Sequence, residues 1–198
     1  WLVKGSLYML MGLVILHAVL SWVNPHAPVA PVLDQLTRRF LAPLRRLADG
    51  VAGAEGLELA HALMVAVADA IAYRPGVTHA HTTAAEALAL GEGVCQDHAH
   101  AMIALARVRG MPARCVSGCL HADASGEAHE AAHAWAELMV PGLGWVGFDP
   151  ANRCCPDDRY IRLGSGMDAQ DAAPIRGISR GTGHEALDVV VAVLAGAQ

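Results

Sequence analysis

Apolar positions recur along this chain in several rhythms, and each rhythm predicts a different kind of element. Gly5 to Val23 is apolar throughout and carries no formal charge. As a helix rising about 1.5 Å per residue it is long enough to cross a hydrocarbon core of roughly 30 Å. Asn24-Pro25 stops it, and an amphipathic pattern bearing Arg38, Arg39, Arg45 and Arg46 follows from Val32 to Leu47. Leu57 to Tyr73 is apolar nearly all round, interrupted by Glu58, His61 and Asp69, and predicts a largely buried helix. Arg74-Pro75-Gly76 ends that pattern. Thr83 followed by Glu86 is a capping-box start for a short helix through Leu90, and a further helix is expected from Ala99 to Val108.

Beyond Gly110-Met111-Pro112 the period falls to two. Arg114 to Leu120 predicts a strand, and Ala122 to Ala131 a polar loop. His133 to Val140 and Gly144 to Asp149 predict a hairpin around Pro141-Gly142-Leu143, and Leu187 to Leu194 a final buried strand. Helices first and antiparallel strands afterwards predict an α+β domain. The small-residue run from Ala48 to Gly56 reads as a linker. The expected organisation is therefore a hydrophobic helix plus an amphipathic helix over 1–50, a linker over 51–56 and a folded domain over 57–198.

Composition adjusts this picture in three places. The net charge of −5 leaves no general basic surface, so no nucleic-acid partner is expected. Five cysteines cannot all pair within one chain, and a reducing compartment is the simpler expectation. The arginines that follow the apolar segment outnumber Lys4 before it, which orients the C-terminal side toward the cytoplasm. The expected location is a membrane-anchored chain with its folded domain in the cytoplasm, or a cytoplasmic chain if the segment does not insert. A buried core helix and a cleaved signal peptide are the competing readings of that segment.

Candidate chemistry centres on Gly91-Glu92-Gly93-Val94-Cys95-Gln96-Asp97-His98, which sets Cys95 just before a helical pattern. Unpaired N–H groups and the helix dipole at such a place favour a thiolate nucleophile. His133 and Asp149 on the two hairpin strands supply a base and a carboxylate to orient it. If Val140 pairs with Gly144 across a three-residue turn, Trp135 lies opposite Asp149, and His133 and Asp149 share one face. A four-residue turn would put Asp149 on the opposite face. Asp97, His98, Trp135 and Trp145 are candidate substrate contacts; a solvated helix end and core packing are their plainer roles. Arg107, Arg109 and Arg114 read as a solvated face or structural ion pairs ahead of an acidic-substrate site. The eleven histidines raise zinc as a rival chemistry, but His98 and His100 point about 200° apart on a helix. No metal and no cofactor are expected, and no calcium-loop pattern is present.

Two stretches resemble known families. Leu16 to Pro25, with Ser21-Trp22-Val23-Asn24-Pro25, and Leu41-Ala42-Pro43-Leu44-Arg45-Arg46 resemble the first half of a YggT-family membrane protein over about 5–47. Gly93-Val94-Cys95-Gln96-Asp97, Gly110-Met111-Pro112-Ala113-Arg114, His133-Ala134-Trp135-Ala136-Glu137, Gly144-Trp145-Val146 through Asp149-Pro150, Tyr160-Ile161 and Asp171 to Gly177 resemble a bacterial transglutaminase-like domain over about 57–193. Cys115 and Cys119 stand where that family commonly has tyrosine, and Met167 where it has arginine. The resemblance implies a papain-like α+β core with Cys95, His133 and Asp149 as its triad. It further implies acyl transfer from a protein or peptide amide, through a thioester, to water or an amine. Hydrolysis is the preferred net reaction, and a catalytically silent peptide-binding module is the alternative.

Overall fold

In a computed structural model of the chain, residues 41–51, 53–120 and 132–175 are described. The apolar segment Gly5 to Val23, the polar loop Ala122 to Ala131 and the expected strand Leu187 to Leu194 lie outside them. No helix among the described residues is long and apolar enough to cross a membrane.

A compact unit begins at Leu44, earlier than the expected boundary near 50. The physical reason is local: residues 41–49 are helical, and Leu44 and Ala48 are buried. The Arg109 guanidinium also donates to the carbonyls of Ala48 and Val51 at 2.9 and 3.0 Å. The stretch read as a linker is thus tied to the folded unit.

Helix α1 covers Gly56–Ala70 and buries Leu59, Leu63, Met64 and Val67. It stops three residues short of the expected Tyr73, because the backbone turns extended at Ile71. Ala72–Tyr73 forms a short strand, β1, instead. Helix α2 spans Ala84–Leu90 and starts on the expected capping box, Thr83 with Glu86. It ends on Gly91, whose φ of 73° is the left-handed conformation that glycine adopts without a Cβ clash. Glu92–Gly93 is a second short strand, β2, parallel to β1. Helix α3 follows at once and runs Cys95–Val108.

The remaining strands are β3 (Ala113–Leu120), β4 (Ala132–Val140), β5 (Gly144–Phe148) and β6 (Tyr160–Gly166). They form one antiparallel sheet in the order β5-β4-β3-β6. Helix α3 packs against β4 and β3, with α1 and α2 alongside it. The core between helices and sheet holds Met102, Leu105, Leu138, Val140 and Phe148, all nearly inaccessible to solvent. The architecture is the expected α+β core. Val140 pairs with Gly144, so the hairpin has the three-residue turn that the shared-face condition required.

Candidate active site

The start of α3 is built by the residues around the cysteine. The Val94 N–H donates to Asp97 Oδ2 at 2.8 Å, and Thr78 Oγ1 donates to the same oxygen at 2.6 Å. Asp97 can fold back this way because Gly93 has no side chain; a Cβ there would stand 2.8 Å from the carboxylate. His98 brings both ring nitrogens within 2.9 Å of backbone carbonyls, those of Val94 and Ile71, fastening the helix start to the end of α1. Gln96 Nε2 donates to Ala80 O at 3.2 Å and pins the loop before α2. Cys95 is thereby held as the first residue of α3, half-buried, beside first-turn N–H groups that have no partner within the helix.

The hairpin brings the other two groups to this place. Its register puts Ala136 opposite Phe148, so the next pair outward is Trp135 with Asp149, and His133 lies diagonal to Asp149. His133 Nε2 and Asp149 Oδ2 are 2.6 Å apart, with the side chains 9 % and 0 % exposed. Burial pulls the His133 imidazolium toward losing its proton. Hydrogen bonds to Asp149 and Cys95, with the charges of both, outweigh this and raise its pKa to about 9. Since Nε2 faces Asp149, the nitrogen left for Cys95 is Nδ1. Burial likewise pushes the Asp149 carboxyl up, but its bonds to His133, Tyr160 and Asn152 hold it below the ordinary carboxylate range.

Asp149 itself is held on both sides. Its backbone pairs with Cys154 in an isolated bridge, at 2.8 Å for its own N–H and 3.2 Å for its carbonyl. Its Oδ1 accepts from the N–H groups of Ala151 and Asn152 at 3.0 and 3.2 Å, the turn that aspartate commonly makes with the residues after it. Arg153, in the left-handed region at φ 55°, donates to the Ala68 carbonyl and pairs with Asp69, tying this loop to α1. Trp135 stacks on the His133 ring with centroids 6.2 Å apart. Its seat exists because Gly118 has no side chain; a Cβ would stand 2.6 Å from the indole and collide with the Ile161 carbonyl.

The seven candidates named from sequence therefore divide. His133 and Asp149 come together with Trp135 buried against His133, and Cys95 acts on the His133 charge from the start of α3. Asp97 and His98, each 2 % exposed, are braces of the helix start and are not open to a substrate. Trp145 is elsewhere: it pairs with Met139 near the hairpin turn, 40 % exposed, beneath the Arg114 guanidinium at 4.2 Å. These two strands simply run away from His133 in that direction. The three arginines are structural. Arg107 caps the carbonyls of Ala113 and Met167, Arg109 those of Ala48 and Val51, and Arg114 pairs with Glu137 at 2.6 Å.

Sequence reasoning gave no role to Asn152, Tyr160 or Tyr73. Asn152 Nδ2 donates to Asp149 Oδ2 at 2.8 Å, and the Tyr160 hydroxyl donates to the same oxygen at 2.8 Å. Burial, together with the charges of Cys95 and Asp149, makes the Tyr73 phenol harder to ionise. The Asp149-Pro150-Ala151-Asn152 turn was a usable signal for Asn152. Tyr160-Ile161 belongs to the transglutaminase-like resemblance but carries no role there, and nothing local marks Tyr73; both arrive through strand pairing.

Comparison with known proteins supports the fold described above. Residues 1–73 match the CCB3/YggT family, which is membrane-associated. An uncharacterised protein of Mycobacterium leprae is 40 % identical over 125 residues, 61 % of this chain and 44 % of that one. One from Mycobacterium tuberculosis is 42 % identical over 115 residues, 54 % of this chain and 37 % of its own. The chain thus spans less than half the length of these relatives. Among solved structures, a protein described as a proposed cysteine protease from Cytophaga hutchinsonii matches with a TM-score of 0.58. It is 27 % identical over 68 % of this chain and 45 % of that one. Residues 45–150, more than half the chain, match the transglutaminase-like superfamily, with the Cys95 helix, the His133 strand and Asp149 all inside the match, and the chain belongs to that superfamily.

Proposed function

We propose that this chain is a thiol-dependent enzyme acting on protein or peptide amides, with Cys95 as nucleophile, His133 as acid and base, and Asp149 as the group that orients His133. The observation that carries the reading is the buried His133–Asp149 pair at 2.6 Å, with Cys95 at the start of α3 among the groups that raise the His133 pKa. An imidazolium beside a cysteine favours the thiolate, the form that attacks carbonyl carbon. Attack forms the C–S bond and pushes the carbonyl electron pair onto oxygen, where N–H groups at the start of α3 stabilise the charge. The oxyanion then collapses, the C–N bond breaks, and His133 Nδ1–H delivers its proton to the departing amine. The thioester that remains is resolved by water or a second amine, which gives its proton back to His133. Asp149 stays ionised throughout and stabilises the imidazolium in each half-reaction.

Hydrolysis is the favoured net reaction. The N-terminal apolar segment would anchor the chain in a membrane, with the catalytic unit on the cytoplasmic side given by its arginines.

The test is trapping with an amide-mimicking electrophile, comparing wild type, Cys95→Ala and His133→Ala by intact mass. Stoichiometric adduct in wild type, none in Cys95→Ala and slow labelling in His133→Ala is the expected pattern. Labelling that survives Cys95→Ala overturns the mechanism. Wild-type Cys95 reacting no faster than the other four cysteines favours a silent peptide-binding module. Turnover with and without an added primary amine separates hydrolysis from transamidation.

A further inference from the structure

Three donors converge on one oxygen of Asp149. Oδ2 receives His133 Nε2 at 2.6 Å, Asn152 Nδ2 at 2.8 Å and the Tyr160 hydroxyl at 2.8 Å. His133 is the reacting partner, and Asn152 belongs to the same turn as Asp149. Tyr160 is different. It opens β6, which joins the sheet through β3 and does not touch β4 or β5 as a ladder neighbour.

The direction of its hydrogen bond follows from counting protons. A phenol has one to give. The Asn152 amide nitrogen, 3.4 Å from the phenol oxygen, can only donate, so that oxygen accepts there and the phenol proton goes to Asp149. The Cys154 sulfur lies 3.2 Å from the same oxygen and must then be a donor too. The groups form one directed chain, Cys154 S–H to Tyr160 O–H to Asp149. The Tyr160 ring meanwhile packs edge-on against His133 and Trp135, with centroids 5.9 and 5.4 Å away.

We propose that Tyr160 is a positioning residue of this site: through a hydrogen bond whose direction Cys154 and Asn152 set, it fixes the Asp149 carboxylate, and through that carboxylate the orientation of the His133 ring. The inference rests on the Cys95–His133–Asp149 reading above and extends it to a strand that supplies none of those three groups. Removing the hydroxyl leaves Oδ2 with two donors. The carboxylate is then free to turn from the orientation that meets Nε2, and with that alignment His133 loses part of what keeps it protonated. The other titratable groups facing this pair are Cys95 on α3, Tyr73 on β1, Cys154 in the loop and Arg159 beside Tyr160. All of them remain in Tyr160→Phe, which also keeps the ring packing.

The experiment titrates His133 by NMR in the full chain carrying Cys95→Ala, with and without Tyr160→Phe, and measures kcat and KM with Cys95 intact. The expected result is a fall of about half a unit or more in the His133 midpoint, with kcat down about tenfold and KM within about twofold. Cys154→Ala should give a smaller fall in the midpoint, and Cys154→Ser, which keeps a donor, should restore it. An unmoved midpoint in Tyr160→Phe overturns the proposal, whether or not kcat changes. Should Tyr160→Phe fail to fold, the Cys154→Ala and Cys154→Ser titrations decide, and the absence of any difference between them overturns it. The titration needs no turnover, so a chain that proves inactive counts against the proposed chemistry and leaves the Tyr160 result standing separately.

Discussion

The β4–β5 hairpin and its neighbours carry two ion pairs of the same length that differ in nearly everything else. His133 and Asp149 meet at 2.6 Å toward the open end, and Arg114 and Glu137 meet at 2.6 Å nearer the turn. At the open end both side chains are out of water, 9 % and 0 % exposed, and the shared proton is held to about pH 9. Near the turn the arginine is 30 % exposed, and Glu137 divides its oxygens between Arg114 and Arg162. Distance alone does not separate these pairs; desolvation does. In the buried pair each group depends on the other to remain charged, whereas in the part-buried one Glu137 keeps Arg162 as a second partner and Arg114 keeps access to water.

The comparison can be broken at several points. The largest effect is expected from Cys95→Ala, which should cut amide turnover by about 10⁴-fold or more and abolish the covalent adduct seen by mass spectrometry. Turnover near wild type would move the chemistry to another part of the chain. Asp149→Asn should follow, with a rate loss of about 10²- to 10⁴-fold. Because it removes one partner of a buried pair, it should also cost about 3 kcal/mol in urea unfolding. The His133 midpoint should drop well below about 9, and a midpoint that stays there would show that Asp149 is not its main partner.

The pH dependence follows from the same pair. His133 keeps its proton in the folded protein to about pH 9, against 6.5 for an unperturbed imidazole. Its contribution to stability is therefore complete below about pH 6.5 and lost as the pH rises through 9. Turnover should fall over the same alkaline limb as the leaving amine loses its proton donor, and unfolding curves collected from pH 6 to 10 would show the parallel decline. A flat stability profile would contradict the buried ion pair.

Smaller effects test the surroundings. Gly118→Ala pushes a Cβ into the indole that stacks on His133, and about 1–3 kcal/mol of destabilisation by urea is expected, with weaker activity. Near the turn, Arg114→Ala should cost less than about 1 kcal/mol and leave turnover within about twofold. A large loss of turnover in that variant would mean that the two ends of the hairpin are not energetically separate.

Local pattern made much of this legible. The α2 capping box, the α3 pattern, the period-two strands and the Pro141-Gly142-Leu143 turn are short-range features, and each lies where its sequence placed it. The turn length then fixed which face Asp149 shares. What could not be read depends on contacts between distant segments. Asp97 and His98 looked like site residues because they follow Cys95, yet helical geometry turns them inward to Thr78 and Ile71. Trp145 sits beside the motif that ends in Asp149, yet each strand residue adds about 3.3 Å, and a few residues carry it out of reach. Tyr160 reaches Asp149 only because β6 pairs with β3, a pairing that no periodicity announces.

The parallel pairing of β1 with β2 and the docking of β4 on α3 have a consequence for how the activity arises. Cys95 and its base belong to segments joined only through tertiary packing, so neither an unfolded chain nor an isolated α3 carries more than an ordinary thiol. On the proposed chemistry, competence therefore depends on assembly, and the reactivity of one cysteine would report closure of the sheet.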